Sequence, residues 1–154
     1  MFEGHQIPYI RTMIFPDYNT LPVNLTDSIP AGKGLVIFDG YCKLCSNSVR
    51  FLLFIDRNKK LLFSAGNGLQ IFDNGETGTI MYYSKGTIFN RSDAVVALLK
   101  DIGGVWKIMG AMINIIPPNL RDKIYGWVAR HRFRWFGKRN SCFFPGTEHM
   151  QRFI

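Results

Sequence analysis

Cysteine is scarce in this sequence, with three residues among 154, two of them close together and the third remote. A disulfide-stapled secreted module needs a denser, even-numbered set, so the composition excludes that class. The first residues also lack the basic start, apolar core and small-residue cleavage site of a secretory signal. We therefore expect a cytoplasmic protein whose cysteines serve redox chemistry or metal binding.

Long apolar runs and acidic residues are the other two shortages. The most apolar stretches, Phe51–Ile55 and Val105–Ile116, fall far short of the roughly 20 residues that span a membrane. Asp and Glu total 11 against 19 Lys and Arg, and the net charge of +8 favours anionic partners without naming one. In contrast, 47% of the residues are hydrophobic and 14% are aromatic, which is ample for a buried core and excludes a disordered chain.

The length of the chain indicates a single domain, since about 150 residues is a fair prior for each domain. Residues 1–33 contain four prolines among Asp, Asn, Thr and Gly, a composition typical of an irregular N-terminal arm. The apolar side chains of this arm favour packing of part of it on the domain. We place the domain over residues 34–145 and a short tail over 146–154.

The central part of the domain has the pattern of an α/β fold. The run Leu35–Asp39 is typical of a strand buried on both faces, an amphipathic helix is predicted over 42–56, and a second strand over 61–63. Two β-prone runs, 79–83 and 86–89, are joined by a short glycine-containing link and predict a hairpin. A βαβ unit followed by a hairpin and helices predicts a thioredoxin-like α/β sandwich.

Three further helices are predicted after the hairpin. The first is capped by Ser92 and runs to about Asp101, the second covers 105–116, and the last is capped by Asn119. A short helical turn over 69–72 is predicted as well. Residues at helical spacing form one apolar face of the last helix, namely Leu120, Ile124, Trp127, Val128, His131 and Trp135. We expect this face to pack on the core.

The strongest chemical signal is a C-x-x-C motif at the junction of the first strand and the first helix. The free N–H groups and the dipole of a helix N-terminus stabilise an anion, so Cys42 is predicted to ionise readily and attack, aided by the charge of Lys43. A thiol at the helix start is also expected to be more exposed than Cys45, which lies one turn further along and is placed to resolve a mixed disulfide. Asp39 is either the proton acceptor in this exchange or a turn residue that satisfies local backbone groups.

Other interpretations of these residues are weaker. The cysteine pair could complete a zinc site with Cys142 and either His131 or His149, but a second closely spaced ligand pair is missing. It could also be apolar packing. A third interpretation makes Asp39 a nucleophilic or metal-binding carboxylate, although neither D-x-D nor a glycine-rich phosphate loop accompanies it.

A basic and aromatic run begins in the last helix and continues beyond it. Arg130, Arg132 and Arg134 alternate with aromatic residues and could contact an anionic membrane surface or nucleic acid. The competing interpretation, which we favour, is that the aromatic side chains pack inward while the arginine side chains face water.

The sequence resembles the DCC family of thiol-disulfide oxidoreductases, named for the residues that correspond to Asp39, Cys42 and Cys45. The resemblance covers about 34–145 and includes further motifs in the same order: Arg91-Ser92-Asp93-Ala94, Ile116-Pro117, Arg121-Asp122, Tyr125, the run from Ala129 to Gly137, and Cys142 shortly before Pro145. It implies thiol-disulfide exchange with a protein or small-molecule substrate, catalysed by the two cysteines and Asp39 without a bound cofactor.

The sequence departs from the family and from thioredoxins at two places. Ser46 stands where the family often has Asn. Residues 78–80 offer no proline before the third strand, where thioredoxins keep a cis-proline that helps to bind the substrate chain. We therefore expect a substrate to be held differently from the way thioredoxins hold it.

Overall fold

The computed structural model describes residues 27–65, 80–141, 143 and 146–154. Three of the predicted features lie outside these ranges: the first 26 residues of the N-terminal arm, the helical turn at 69–72, and Cys142.

A four-stranded sheet forms the centre of the described structure. Its strands are β1 (Gly34–Phe38), β2 (Leu61–Ala65), β3 (Met81–Ser84) and β4 (Thr87–Asn90). They lie in the order β2-β1-β3-β4, with β1 parallel to β2 and antiparallel to β3, and β3 antiparallel to β4. This topology confirms the predicted thioredoxin-like α/β fold.

The helices follow in the predicted order. They are α1 (Lys43–Ile55), α2 (Arg91–Ile102), α3 (Val105–Ile115) and α4 (Pro118–Trp135), and a 3-10 helix covers Thr147–Arg152. Within the described ranges, no helix combines the length and the apolar character needed to cross a membrane.

The main core lies on the face of the sheet that α1 and α2 cover. All five residues of β1 are buried, as a strand covered on both faces requires. Val36 and Phe38 pack toward the main core, whereas Leu35 and Ile37 belong to a smaller cluster on the opposite face. Because β1 is central and apolar on both sides, its carboxyl end is held rigidly, and Asp39 and the C-x-x-C follow directly from that end.

The C-terminal residues that were set apart as a tail pack on the outer strand β2. Ile154 donates its backbone N–H to the carbonyl of Phe63 at 3.0 Å. Arg152 is buried, forms an ion pair with the fully buried Asp56, and donates to the carbonyl of Leu61. Since Asp56 also accepts the backbone N–H groups at the start of β2, this pair connects the end of α1, the start of β2 and the C-terminus.

Two predicted helix caps differ from the structure. Helix α4 begins at Pro118, with Pro117 as its N-cap, because proline is well tolerated at the first position of a helix. Asn119 therefore lies inside the first turn and does not cap the helix. The N-cap of α2 is Asn90, and the hydroxyl of Ser92 instead donates to the carboxylate of Asp122. Ser92 is drawn away from capping because a partner on another helix is available.

Helix α4 lies across the edge of the sheet at which β1 ends. Its first turns are bound to the start of α2 by the Ser92–Asp122 bond and by an ion pair at 2.6 Å between Arg121 and Asp93. Further along, the hydroxyl of Tyr125 accepts the backbone N–H of Ile80, just before β3, at 3.0 Å. Most of these residues belong to the family motifs, and the bonds they form hold α4 on the sheet.

The face of α4 that was expected to pack on the core is turned outward instead. Leu120, Ile124, Trp127 and Trp135 are each about half exposed, whereas Arg132 on the opposite face is buried. The physical reason is that the inward face meets polar partners at the sheet edge rather than an apolar surface. Polarity alone therefore predicted the wrong orientation of this helix.

Candidate active site

Cys42 is the N-cap residue of α1, and its sulfur acts as the cap. The backbone N–H of Cys45 donates to Cys42 Sγ at 3.3 Å, in the manner of a serine or aspartate N-cap. The carbonyl of Cys42 accepts both the N–H and the hydroxyl of Ser46, at 2.9 and 3.0 Å. The first turn of the helix therefore binds both the sulfur and the backbone carbonyl of Cys42.

These surroundings lower the pKa of Cys42 from 9.0 to about 6. The largest cause is a hydrogen bond from the thiol of Cys45, followed among the lowering causes by the backbone N–H of Cys45 and the positive charge of Arg132. Burial and the negative charge of Asp39 oppose this shift and raise the pKa. At pH 7 the reduced protein therefore holds Cys42 mainly as a thiolate, as predicted from its place at a helix start.

Cys45 behaves in the opposite way, since its pKa is raised far above the ordinary value. Its hydrogen bond to Cys42 is the largest cause, followed by burial and by the negative charge of the Cys42 thiolate. The charge of Arg132 lowers the pKa of Cys45 and that of Asp39 raises it. When the pair loses one of its two protons, the proton that remains is therefore on Cys45.

Arg132 lies in a different environment from the one that the sequence analysis assigned to it. It was expected to face water or an anionic partner, but only 2% of its surface is exposed. Its Nη1 lies 3.7 Å from Cys45 Sγ, and its Nη2 lies 3.6 Å from Asp39 Oδ2. The only sequence signal for this role was the position of Arg132 on the same helical face as Arg121 and Tyr125.

Asp39 is 7% exposed and directs its carboxylate at two neighbours. Oδ1 accepts the backbone N–H of Tyr41 at 3.0 Å, which is the turn contact expected of an Asp-Gly pair, and Oδ2 faces Arg132. Asp39 thus takes part in the turn and in the electrostatics of both thiols, so the two roles weighed from the sequence are compatible.

Access to Cys42 differs from the sequence-based expectation. Cys42 is fully buried, whereas Cys45 is partly exposed. The chain that follows α4 lies over the motif: Lys138 forms a β-bridge with Cys42, and Arg139 N donates to Tyr41 O at 2.7 Å. Phe143 N donates to Gly40 O at 2.9 Å. We call residues 137–141 and 143 the covering segment.

Among the described residues, no group of three or more His, Cys, Asp or Glu side chains is arranged to hold a metal ion, and Cys142 of the zinc interpretation lies outside them. His131 lies on the outward face of α4, where its ring stacks on Trp135 at 5.2 Å and its Nδ1 contacts the carbonyl of Trp127. His149 lies in the 3-10 helix, with Nε2 3.3 Å from Glu148.

Lys43, which was expected to assist Cys42, has an exposed side chain. The cation that lowers the pKa of both cysteines is Arg132 instead.

The pH dependence of alkylation follows from the lowered pKa of Cys42. In a Cys142→Ser background, the rate of Cys42 modification by iodoacetamide should rise through about pH 6 and level off above pH 7, because the thiolate is the reacting form. Peptide mass spectrometry at each pH measures this profile. A midpoint near the ordinary value of 9.0 would contradict the pKa assignment.

The absolute rate of that reaction tests the covering segment. Because Cys42 is fully buried, the plateau rate should be at least roughly tenfold below that of an exposed thiolate. Guanidinium at concentrations below unfolding should raise it if the segment opens locally. The Cys42→Ser variant is the control, in which any remaining label is assigned to Cys45 by peptide mass spectrometry.

A parallel βαβ unit, an antiparallel hairpin and a helix that begins at a C-x-x-C together define a thioredoxin-like protein with a dithiol site. The family model described as DCC1-like thiol-disulfide oxidoreductase matches residues 36–138, and the chain belongs to this family.

Two curated relatives are consistent with this assignment. The uncharacterized protein YuxK of Bacillus subtilis is 26% identical over 133 residues, which cover 78% of this chain and 93% of YuxK. A chloroplastic DCC family protein of Arabidopsis thaliana is 27% identical over 118 residues, or 71% of this chain and 69% of that protein. No solved structure matches the chain significantly.

Proposed function

We propose that the protein is a thiol-disulfide oxidoreductase that works by exchange between Cys42, Cys45 and a substrate disulfide. The observation that carries this proposal is the opposite shift of the two pKa values, lowered at Cys42 and raised at Cys45. One sulfur is thereby ready to attack, while the other is held back as a thiol. Membership of the family supports a redox role.

The exchange consists of two displacements. The Cys42 thiolate attacks one sulfur of the substrate disulfide, forms a mixed disulfide and releases the other substrate sulfur as a thiolate. Cys45 then loses its proton and attacks the Cys42 sulfur, which forms the Cys42–Cys45 disulfide and releases the second substrate thiolate. Two electrons pass from the cysteine pair to the substrate, and the reverse sequence oxidises a substrate dithiol.

The first displacement prepares the second. Once Cys42 is in a mixed disulfide, it no longer carries the charge or accepts the strong hydrogen bond that keep the pKa of Cys45 high. The positive charge of Arg132, 3.7 Å from Cys45 Sγ, then stabilises the thiolate of Cys45. We propose Asp39 as the acceptor of the proton that Cys45 loses, directly or through one water molecule.

The substrate must approach by another route than the one used in thioredoxins. The backbone N–H before β3, at Ile80, is already bonded to Tyr125, and the covering segment lies over Cys42. A substrate therefore gains access when the bonds of the covering segment to Gly40 and Tyr41 open. No organic cofactor is needed by this chemistry, and the expected cytoplasmic location stays a prediction.

A redox titration tests the proposal. The full chain is equilibrated in buffers of reduced and oxidised glutathione, quenched with acid, and labelled with a maleimide that adds mass to each free thiol. We expect one two-electron transition in which two thiols are lost together, in the intact protein and in Cys142→Ser alike. Either Cys42→Ser or Cys45→Ser should abolish it.

Metal analysis distinguishes this proposal from the alternative, which is a non-catalytic module stabilised by zinc. If freshly purified protein carried stoichiometric zinc that was lost on Cys42→Ser, and showed no two-thiol transition, the redox proposal would be overturned.

A further inference from the structure

The outward face of α4 is an exposed apolar stripe. Leu120, Ile124, Trp127 and Trp135 are about half exposed each and follow one another along the helix at spacings of three, four or eight residues. The aromatic rings are packed on one another: the centroids of Trp127 and Trp135 are 4.9 Å apart, and His131 stacks on Trp135. We call these five residues the outer stripe. A continuous exposed patch of this kind marks an interaction surface.

A row of positive charge runs beside the outer stripe. Lys123, Arg130 and Arg134 recur at seven and four residues, so that they lie on one flank of the stripe, and all three are exposed. The one acidic residue of the helix is Asp122, and its carboxylate accepts a hydrogen bond from the hydroxyl of Ser92. The outward surface of α4 therefore combines apolar side chains and positive charge without an exposed carboxylate.

The imbalance of charge extends beyond this helix. Residues 102–147 contain eight Lys and Arg but a single acidic residue. Arg121 and Arg132 are buried and paired with carboxylates, and the other six basic residues lie at least partly on the surface. Helix α3, which precedes α4, also exposes aliphatic side chains, among them Ile108, Met112 and Ile115. The surface formed by this part of the chain is suited to a partner that is anionic and also accepts aliphatic groups.

We propose that the outer stripe and its basic flank dock the protein on an anionic lipid bilayer, with α4 lying in the plane of the interface. Amphipathic helices with Trp and Leu on one face and Lys or Arg beside it bind in this way. Trp side chains are favoured at the level of the lipid headgroups, and each nearby Lys or Arg adds attraction to anionic lipid.

The observations favour lipid over nucleic acid, which was the other anionic partner considered from the sequence. Single-stranded nucleic acid stacks its bases on aromatic rings, but the rings of Trp127 and Trp135 are already engaged with each other and with His131. Leu120 and Ile124 have no role in such a contact, whereas a bilayer buries them. Arg132 has no part in either, since it is buried at the thiol site.

Vesicle flotation of the full chain tests the proposal. The probes are vesicles of phosphatidylcholine alone and of phosphatidylcholine with 30% phosphatidylglycerol, each at low and at high salt. We expect binding to the anionic vesicles only, a steep loss with salt, and a blue shift of tryptophan emission on binding.

Matched variants separate the charge from the apolar stripe. Replacing Lys123, Arg130 and Arg134 by Gln should weaken the binding on the order of 100-fold, because each cation near the surface contributes. The control replaces Arg57, Lys59 and Lys85 by Gln, which removes the same charge at the opposite end of the sheet and should change binding by less than about threefold. Ile124→Gln should reduce both binding and the emission shift.

Each remaining outcome contradicts the proposal. Absence of binding to either kind of vesicle overturns it, as does equal binding by the flank variant and its control. Salt-sensitive binding to an RNA oligonucleotide without binding to vesicles assigns the surface to nucleic acid. A dimer that Ile124→Gln dissociates, again without vesicle binding, assigns it to a second copy of the chain. The proposal is independent of the redox function, since Cys42→Ser should bind vesicles like the native chain.

Discussion

Cys45→Ser is expected to accumulate a mixed disulfide at Cys42, whereas Cys42→Ser is expected to form almost none. The native protein should show this intermediate only briefly, because Cys45 lies one turn along the same helix and attacks the Cys42 sulfur. This attack releases the substrate sulfur as a thiolate and leaves the Cys42–Cys45 disulfide. Removing Cys45 removes the resolving thiol and leaves the adduct without an internal route of release.

The low pKa of Cys42 affects the rate of the first displacement only modestly. Lowering the pKa of Cys42 from 9.0 to about 6 raises the thiolate fraction at pH 7 about 100-fold. A more acidic thiolate is a weaker nucleophile, and with a Brønsted coefficient of about 0.4–0.5 most of this gain in attack rate is offset. Attack is therefore only severalfold faster. The group that leaves when Cys45 attacks the Cys42 sulfur is the substrate thiolate, so the difference between the variants depends on the presence of the resolving thiol.

The Cys45→Ser variant loses one thing besides the resolving thiol. The thiol of Cys45 is the largest cause that lowers the pKa of Cys42, so the serine hydroxyl must take over that hydrogen bond. We expect attack by Cys42 to persist because the backbone N–H of residue 45 and the charge of Arg132 remain. The variant should thus form the adduct more slowly than the native protein but hold it far longer.

Intact-mass spectrometry after incubation with oxidised glutathione measures the adduct. All variants carry Cys142→Ser, so that the third cysteine contributes no label, and that single variant is the control. An adduct on Cys45 in Cys42→Ser, or retained disulfide reductase turnover by Cys42→Ser, would show that the roles of the two sulfurs are assigned wrongly.

Arg132→Met should impair both the stability and the thiol chemistry of the protein. Methionine leaves the carboxylate of Asp39 buried without its counter-ion, and removal of one partner from a buried pair costs about 3 kcal/mol of unfolding free energy. The pKa of Cys42 should rise, because the positive charge that helps to lower it is gone. Resolution by Cys45 should slow at least about tenfold, since its thiolate loses the nearest cation.

Four further variants distinguish a role in the site from a general effect on folding. Arg132→Lys keeps the charge and should retain part of the rate. The double variant Asp39→Asn/Arg132→Met removes both buried charges and should regain most of the stability but not the rate of resolution. Arg130→Met and Arg134→Met, on exposed positions of the same helix, should change neither quantity by much.

Urea unfolding gives the stability of each of these variants, and the pH profile of Cys42 alkylation gives its pKa. If Arg132→Met left the alkylation midpoint unchanged, or if the double variant regained its rate of resolution together with its stability, Arg132 would be a purely structural residue.

The elements of the sheet and the first helix could be predicted from local patterns alone. A short apolar run rich in β-branched and aromatic residues, such as Leu35–Asp39, is typical of a buried strand, and the helix after it shows the spacing of Val49 and Leu52 on one face. Because the C-x-x-C stands between these two elements, its place at a helix N-terminus could be predicted, and with it a lowered pKa of Cys42, to which the tertiary contact with Arg132 contributes.

The orientation of α4, the burial of Arg132 and the cover over Cys42 were decided by the tertiary structure. Helical periodicity distinguishes the apolar face of a helix from its polar face. It does not predict which face packs on the domain when the contacting surface of the domain is itself polar. Arg132 is buried because Asp39 provides an anion and Cys45 a sulfur at this end of the sheet. Cys45 lies 87 residues before Arg132 in the sequence. A charge is buried only beside such partners, and the fold alone brings residues so distant in sequence together.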